Sequence, residues 1–165
     1  MLVDLVFLTA IAAAKPSPTA VYDAAAQCRR TLVNNDILEP EVQVVNEIYH
    51  TLTIKNGGQD AAFVSVVDQS SGARVLFYVD RGRSATIGLN DGDYVIKYAL
   101  SGRLAADCST VIRPSYVGEF PGVKRLRVVE DANGYTTDVL KYTLYSVPHG
   151  NVRPRKISVA DFNRD

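Results

Sequence analysis

Tryptophan is absent from this chain, and histidine and cysteine occur only twice each. A structural zinc site takes four such ligands close together. His50 and His149 have neither a cysteine nor a second histidine at ligand spacing, so the sequence predicts no metal centre. Charge of one sign is missing as well, since 18 Lys and Arg balance 18 Asp and Glu. That excludes the basic excess by which a nucleic-acid binder gathers phosphates. The local basic groups, Lys124, Arg125 and Arg127, then Arg153, Arg155 and Lys156, read as solvated strand edge and tail. No apolar run reaches the ~20 residues of a membrane-spanning helix. Nucleophile elbows and phosphate loops are also lacking. Residues 90–93, Asn-Asp-Gly-Asp, lack the ligand register and distal Glu of a calcium loop and read as a hairpin turn. Glu119 and Asp131 have no spacing that sets them opposite each other as a glycosidase pair, and a Cys28 or Cys108 pair with His149 would depend wholly on the fold. No catalytic residue, cofactor or enzymatic activity is expected.

What the chain does contain is a ladder of short alternating segments, each closed by a turn rich in Gly, Asn or Asp. Residues 50–55 stop at Asn56-Gly57-Gly58, and 61–67 at Asp68-Gln69-Ser70-Ser71-Gly72. Residues 74–79 stop at Asp80-Arg81-Gly82, 84–89 at Asn90-Asp91-Gly92, and 93–100 at Ser101-Gly102. Residues 124–130, the Asn133-Gly134 turn and the run 138–147 complete it. Strand-forming residues with turn signals every ~8–12 positions indicate an all-β, antiparallel sandwich. Period-2 alternation puts Tyr94, Ile96 and Tyr98 on one inward face, Leu140, Tyr142 and Leu144 on another, and Leu52 with Ile54 on a third. Residues 61–67 and 75–79 are apolar on both faces, which predicts central or covered strands. The tyrosines read as sheet packing, with a sugar-stacking platform as the sharper alternative. Tyr94 should cross the sandwich and reach a backbone group at the corner with its hydroxyl.

The N-terminal third reads differently. Residues 5–14 are apolar over the length of a signal-peptide core, with Ala12-Ala13-Ala14 as small residues before a cleavage point. Against this, no Lys or Arg precedes the run and Asp4 carries the opposite charge; the rival is an apolar segment that packs on its own domain or on a partner. Ala24, Ala25 and Ala26 predict a short helix over residues 19–32, with Thr19 as its cap. The domain plan is thus 1–14 signal peptide or anchor, 15–48 linker with a short helix, and 49–165 sandwich. Cys28 and Cys108 form either a disulfide, as in an exported chain, or two unrelated buried thiols. Tyr116, Glu119, Phe120, Lys124 and Arg125 are the candidate binding loop, taken from the loop 107–123, rich in Pro, Gly and aromatic residues, and the two basic residues that follow it.

The stretches Thr53 to Ala61, Val75 to Ile87, with its Asp80-Arg81-Gly82-Arg83-Ser84-Ala85-Thr86, and Gly92-Asp93-Tyr94 resemble small bacterial envelope or secreted β-sandwich modules. They are similar, more loosely, to the carboxypeptidase-regulatory-like or PEGA accessory domains. The likeness runs from His50 to the C-terminus, including the tail from Tyr142 to Phe162. It implies an immunoglobulin-like or transthyretin-like sandwich in which Gly-x-Tyr packs and does no chemistry. The modules that the chain resembles are of uncharacterised function. The expectation for this chain is a non-enzymatic, exported sandwich with a structural or binding role at the cell envelope, in the periplasm or outside the cell, toward an envelope protein, a glycan or further copies of the chain. Two alternatives remain: a structural subunit of a filament or virion assembled through its apolar N-terminus, and an enzyme or inhibitor with a loop-borne site.

Overall fold

The computed structural model describes residues 27–40, 47–145 and 152–164. The expected leader over 1–14, the helical segment up to residue 26 and His149 lie outside them. About half of the described residues lie in strands, and the regular structure is nearly all β. It begins with β1 (Ile37–Pro40), β2 (His50–Lys55), β3 (Ala62–Asp68), β4 (Arg74–Val79), β5 (Ser84–Leu89) and β6 (Gly92–Leu100). Short strands follow: β7 (Arg103–Leu104), β8 (Val111–Ile112), β9 (Tyr116–Glu119), β10 (Lys124–Leu126), β11 (Val129–Asp131) and β12 (Gly134–Thr136). Then come β13 (Val139–Thr143), β14 (Arg155–Lys156) and one short helix, α1 (Val159–Asn163).

The largest sheet runs β1-β4-β3-β6-β9-β14, with β10 also on β6; a second runs β13-β2-β5. Their pairings are antiparallel except β13 on β2, which is parallel. The two sheets share one core. Leu52, Ile54, Ala85, Ile87 and Leu89 from the smaller sheet meet Val64, Val66, Val75, Phe77, Tyr94, Ile96 and Tyr98 from the larger. The inward faces foreseen for β2 and β6 are therefore the buried ones, and β3 and β4 are central in their sheet. Tyr94 is 1% exposed and its hydroxyl donates to Asn90 O at 3.1 Å, closing the corner between β5 and β6.

The larger sheet is also covered on its other face. Phe63, Leu76, Ala99 and Val117 point there and pack with Leu104, Val111 and Phe162. This explains why β3 is buried along six consecutive residues, which one apolar face alone would not require. Arg74, 4% exposed, fastens the cover: Nε donates to Ser65 Oγ at 3.1 Å, and the guanidinium lies 3.3 Å from Glu39 and over the Phe162 ring. Lys97 does the same for α1, donating to the carbonyls of Asp161 at 2.7 Å and Arg164 at 3.0 Å.

Over residues 27–32 the expected helix is replaced by irregular chain. Gln27 bridges Ala105, Cys28 N–H donates to Leu104 O, and Cys28 is disulfide-bonded to Cys108 with Cα atoms 5.0 Å apart. These long-range bonds hold residues 27–32 in an extended path where a helix was expected. The 124–130 run divides into β10 and β11 because Arg127 and Val128 turn back on residues 91–93. Strand β1 and α1 have no counterpart in the sequence reading.

Cys108 itself has a positive φ of 59°, in a turn braced by the Asp107 carboxylate. That carboxylate accepts from Ser109 N–H, Thr110 N–H and the Thr110 hydroxyl at 3.0, 2.9 and 2.5 Å. Burial pulls the Asp107 carboxyl upward, but these bonds together outweigh it and hold it below its ordinary 3.8. A depressed carboxyl stabilises the fold above its unfolded value and ceases to do so as pH falls through the folded one. Side-chain carbon shifts of Asp107 should thus titrate below the ordinary carboxylate range, and the Thr110 amide should lose protection over that same window.

Candidate functional site

The expected binding loop is mostly strand. Tyr116 and Glu119 belong to β9, Lys124 and Arg125 to β10, and Phe120 lies between them at 2% exposure. Alternation along β9 then separates the candidates. Tyr116 and Gly118 share the face of Tyr98, which stands opposite Gly118 in the ladder. The rings form a row: Tyr116 lies 5.8 Å from Tyr98, Tyr98 5.3 Å from Phe120, and Phe120 stacks on Tyr142 at 4.3 Å. Lys124 Nζ sits 5.7 Å over the Tyr142 ring and donates to Pro121 O at 2.7 Å. Tyr116, Phe120 and Lys124 thus come together, and through Tyr142 they join the two sheets. Burial, with Tyr116 adding to it, pushes the Tyr98 hydroxyl well above the tyrosine range.

This row is packing. Phe120 covers one side of Tyr142 while the Lys124 ammonium lies over its ring, so Tyr142 is not the open ring that sugar stacking needs. Gly118 is what lets the row close: a Cβ there would lie 2.8 Å from atoms of both Tyr98 and Tyr116. Gly118→Ala should therefore destabilise by about 1–3 kcal/mol through overpacking. Near-ultraviolet circular dichroism should weaken as the tyrosines are displaced, and an unchanged spectrum and urea midpoint would contradict the arrangement.

Glu119 faces the other way. It pairs with Arg155 at 3.0 Å in a cleft of about 490 Å³ lined also by Lys97, Lys156, Ser158, Asp161 and Arg164. Two of those cations are engaged already, Lys97 by the end of α1 and Arg164 by Asp161 at 3.3 Å. Arg125 stands exposed on β10 opposite Asp93. Asp131, imagined as the partner of Glu119, accepts from Asn133 N–H inside its own turn.

Sequence reasoning passed over a different region. Strands β11 and β12 pair only with each other, and all six of their residues are exposed. Val129 and Tyr135 are each 57% exposed, among Glu130 and Asp131, and Val139 just beyond is 60% exposed. At the base of this hairpin sits His50, wholly buried. Its Nδ1 accepts from Asp138 N–H at 2.8 Å, so the ring proton lies on Nε2, which donates to Asp91 Oδ1 at 2.9 Å. Asp91 Oδ1 accepts a second bond from Val128 N–H at 2.9 Å. The His50 hydrogen bond, then that of Val128, holds the Asp91 carboxyl below its ordinary value.

No protein-family model, curated protein or solved structure matches this chain. Among the described residues, no helix is long and apolar enough to cross a membrane. The chemistry of the site therefore rests on the residues alone. They are an exposed hairpin that carries apolar and acidic side chains, held at its base by a wholly buried imidazole.

Proposed function

We propose that this chain is an exported, non-enzymatic module, an immunoglobulin-like or transthyretin-like sandwich that binds another protein at the cell envelope. The observation that carries the reading is the Cys28–Cys108 disulfide, since such bonds persist in oxidising compartments and are rare in the cytosol. Neither thiol is left for nucleophilic work, and both nitrogens of His50 are engaged by the fold. The contact surface is the β11–β12 hairpin, where Val129 and Tyr135 supply apolar anchors. Glu130 and Asp131 beside them favour a partner with basic side chains around an apolar patch. Residues 1–14 serve as the export signal in this reading.

The test is intact mass and N-terminal sequencing of the protein made in its own cells, with and without reduction before alkylation. A chain shortened by about the first 14 residues, whose two thiols alkylate only after reduction, is the expected result. A full-length chain with two freely alkylated thiols would overturn export. A retained N-terminus with concentration-dependent oligomers would instead favour a subunit that assembles through its apolar start.

A further inference from the structure

The two ends of the exposed hairpin are held by one pair of side chains. Val128, just before β11, gives its N–H to Asp91 Oδ1, and Asp138, just before β13, gives its N–H to His50 Nδ1. His50 and Asp91 are themselves joined at 2.9 Å. The chain thus leaves the body and returns to it through a single hydrogen-bonded clasp. Only the neutral imidazole can close it this way, because Nδ1 must offer a lone pair to the Asp138 amide. A second acceptor waits beside it: Asp138 Oδ2 lies 3.4 Å from the same Nδ1.

We infer that His50 is an acid-sensitive latch: its protonation exchanges the Asp138 amide for the Asp138 carboxylate and loosens the return end of the β11–β12 hairpin. A proton on Nδ1 sets two donors, the imidazolium N–H and the Asp138 N–H, against each other. The Asp138 carboxylate, 3.4 Å away, is the acceptor at hand, so the residue must shift to bring it round. The outgoing end is unaffected, because Nε2–H and Val128 N–H continue to donate to an ionised Asp91. The Asp138 carbonyl stays bound to Thr51 N–H at 3.0 Å, so the hairpin loosens without detaching. The charged and titratable groups around the imidazole are Asp91 from the β5–β6 turn and Asp138 at the start of β13. Behind Asp91 lie Arg127, bound to Asp93 and to the Gly92 carbonyl, and the Tyr94 hydroxyl. Both carboxylates are about half exposed and reach solvent, while the ring does not. The inference does not depend on export or on the identity of a partner.

Hydrogen-exchange NMR on the full chain from about pH 8 to about pH 4.5 tests it, with His149→Gln used to assign the His50 ring signals. After correction for intrinsic exchange, protection of the Asp138 amide should fall about tenfold through the His50 titration, the loss of one hydrogen bond. Protection of Val128 should hold over the same range. Asp138→Asn keeps the amide but removes the charge, at a side chain exposed enough to tolerate it. There the fall at position 138 should move to lower pH by roughly one unit. Three results would overturn the latch: flat protection at Asp138 while His50 titrates, equal loss at Val128 and Asp138, or an imidazole that stays neutral until the core amides of Leu52 and Ile54 open.

Discussion

Tyr94→Ala should lower the free energy of unfolding by about 3–5 kcal/mol, the range for removing a buried aromatic ring. The ring is 1% exposed in the shared core, and removing it opens a cavity there. It also removes the donor that satisfies Asn90 O at the β5–β6 corner. Tyr94→Phe separates the two contributions. It keeps the ring and should lose only the net value of one hydrogen bond, about 0.5–1.5 kcal/mol. Gly92→Ala attacks the corner from the other side, because a Cβ at position 92 would lie 2.7 Å from the Tyr94 ring. Urea unfolding is the measurement, and the midpoint should move with little change in slope. A loss below ~1 kcal/mol for the alanine variant would place the ring outside the core.

Burial and charge act together on this residue. Burial, reinforced by Asp68 and Asp91 and opposed by Arg127, pushes the Tyr94 hydroxyl up to about 12. It therefore stays a donor throughout the acid and neutral range of the exchange experiment. The corner and the latch share Asp91 but respond at different pH, which lets the two be told apart.

The architecture was legible where period-2 alternation was clean. The β2 and β6 patterns named the buried residues because each has one face on the shared core. His50 occupies the same inward register as Leu52 and Ile54, so its burial was written in the alternation even though its partners were not. Those partners come from residues 41 and 88 positions away, and no local pattern reports them. The two-sided apolar pattern of residues 61–67 and 75–79 announced a second covered face, but what covers it was invisible for the same reason. Its cover comes from Leu104, Val111 and Phe162, each on an element of five residues or fewer. Glu119 was grouped with Tyr116 only because the stretch was read as a loop. As a strand, β9 sends the two side chains to opposite faces, and the candidate site divides accordingly.

The disulfide gives the second large effect. The Cys28→Ser, Cys108→Ser double variant should unfold about 4–5 kcal/mol more readily, on the chain-entropy account of a loop closed across 80 residues. The loss should not be uniform. Cys28 packs beside Leu32 and Leu38 against the outer face of the larger sheet, while Cys108 sits in the turn joining β7 to β8. Without the bridge, Gln27 and Cys28 keep the β-bridge to Ala105, the bond to Leu104 O and the packing of Cys28 as ties to that hairpin. Hydrogen exchange in the double variant should therefore rise first at β7, β8 and residues 27–32, and only at global unfolding in β2 and β3. The Asp107 turn is the sharpest reporter, because its three hydrogen bonds shape the backbone that carries Cys108. If β2 amides open in step with those of β7 and β8, the outer cover is no separate unit. If the variant matches the parent to within ~1 kcal/mol, the bridge constrains a chain already held by its packing, and export loses the physical reason for which the bond was needed.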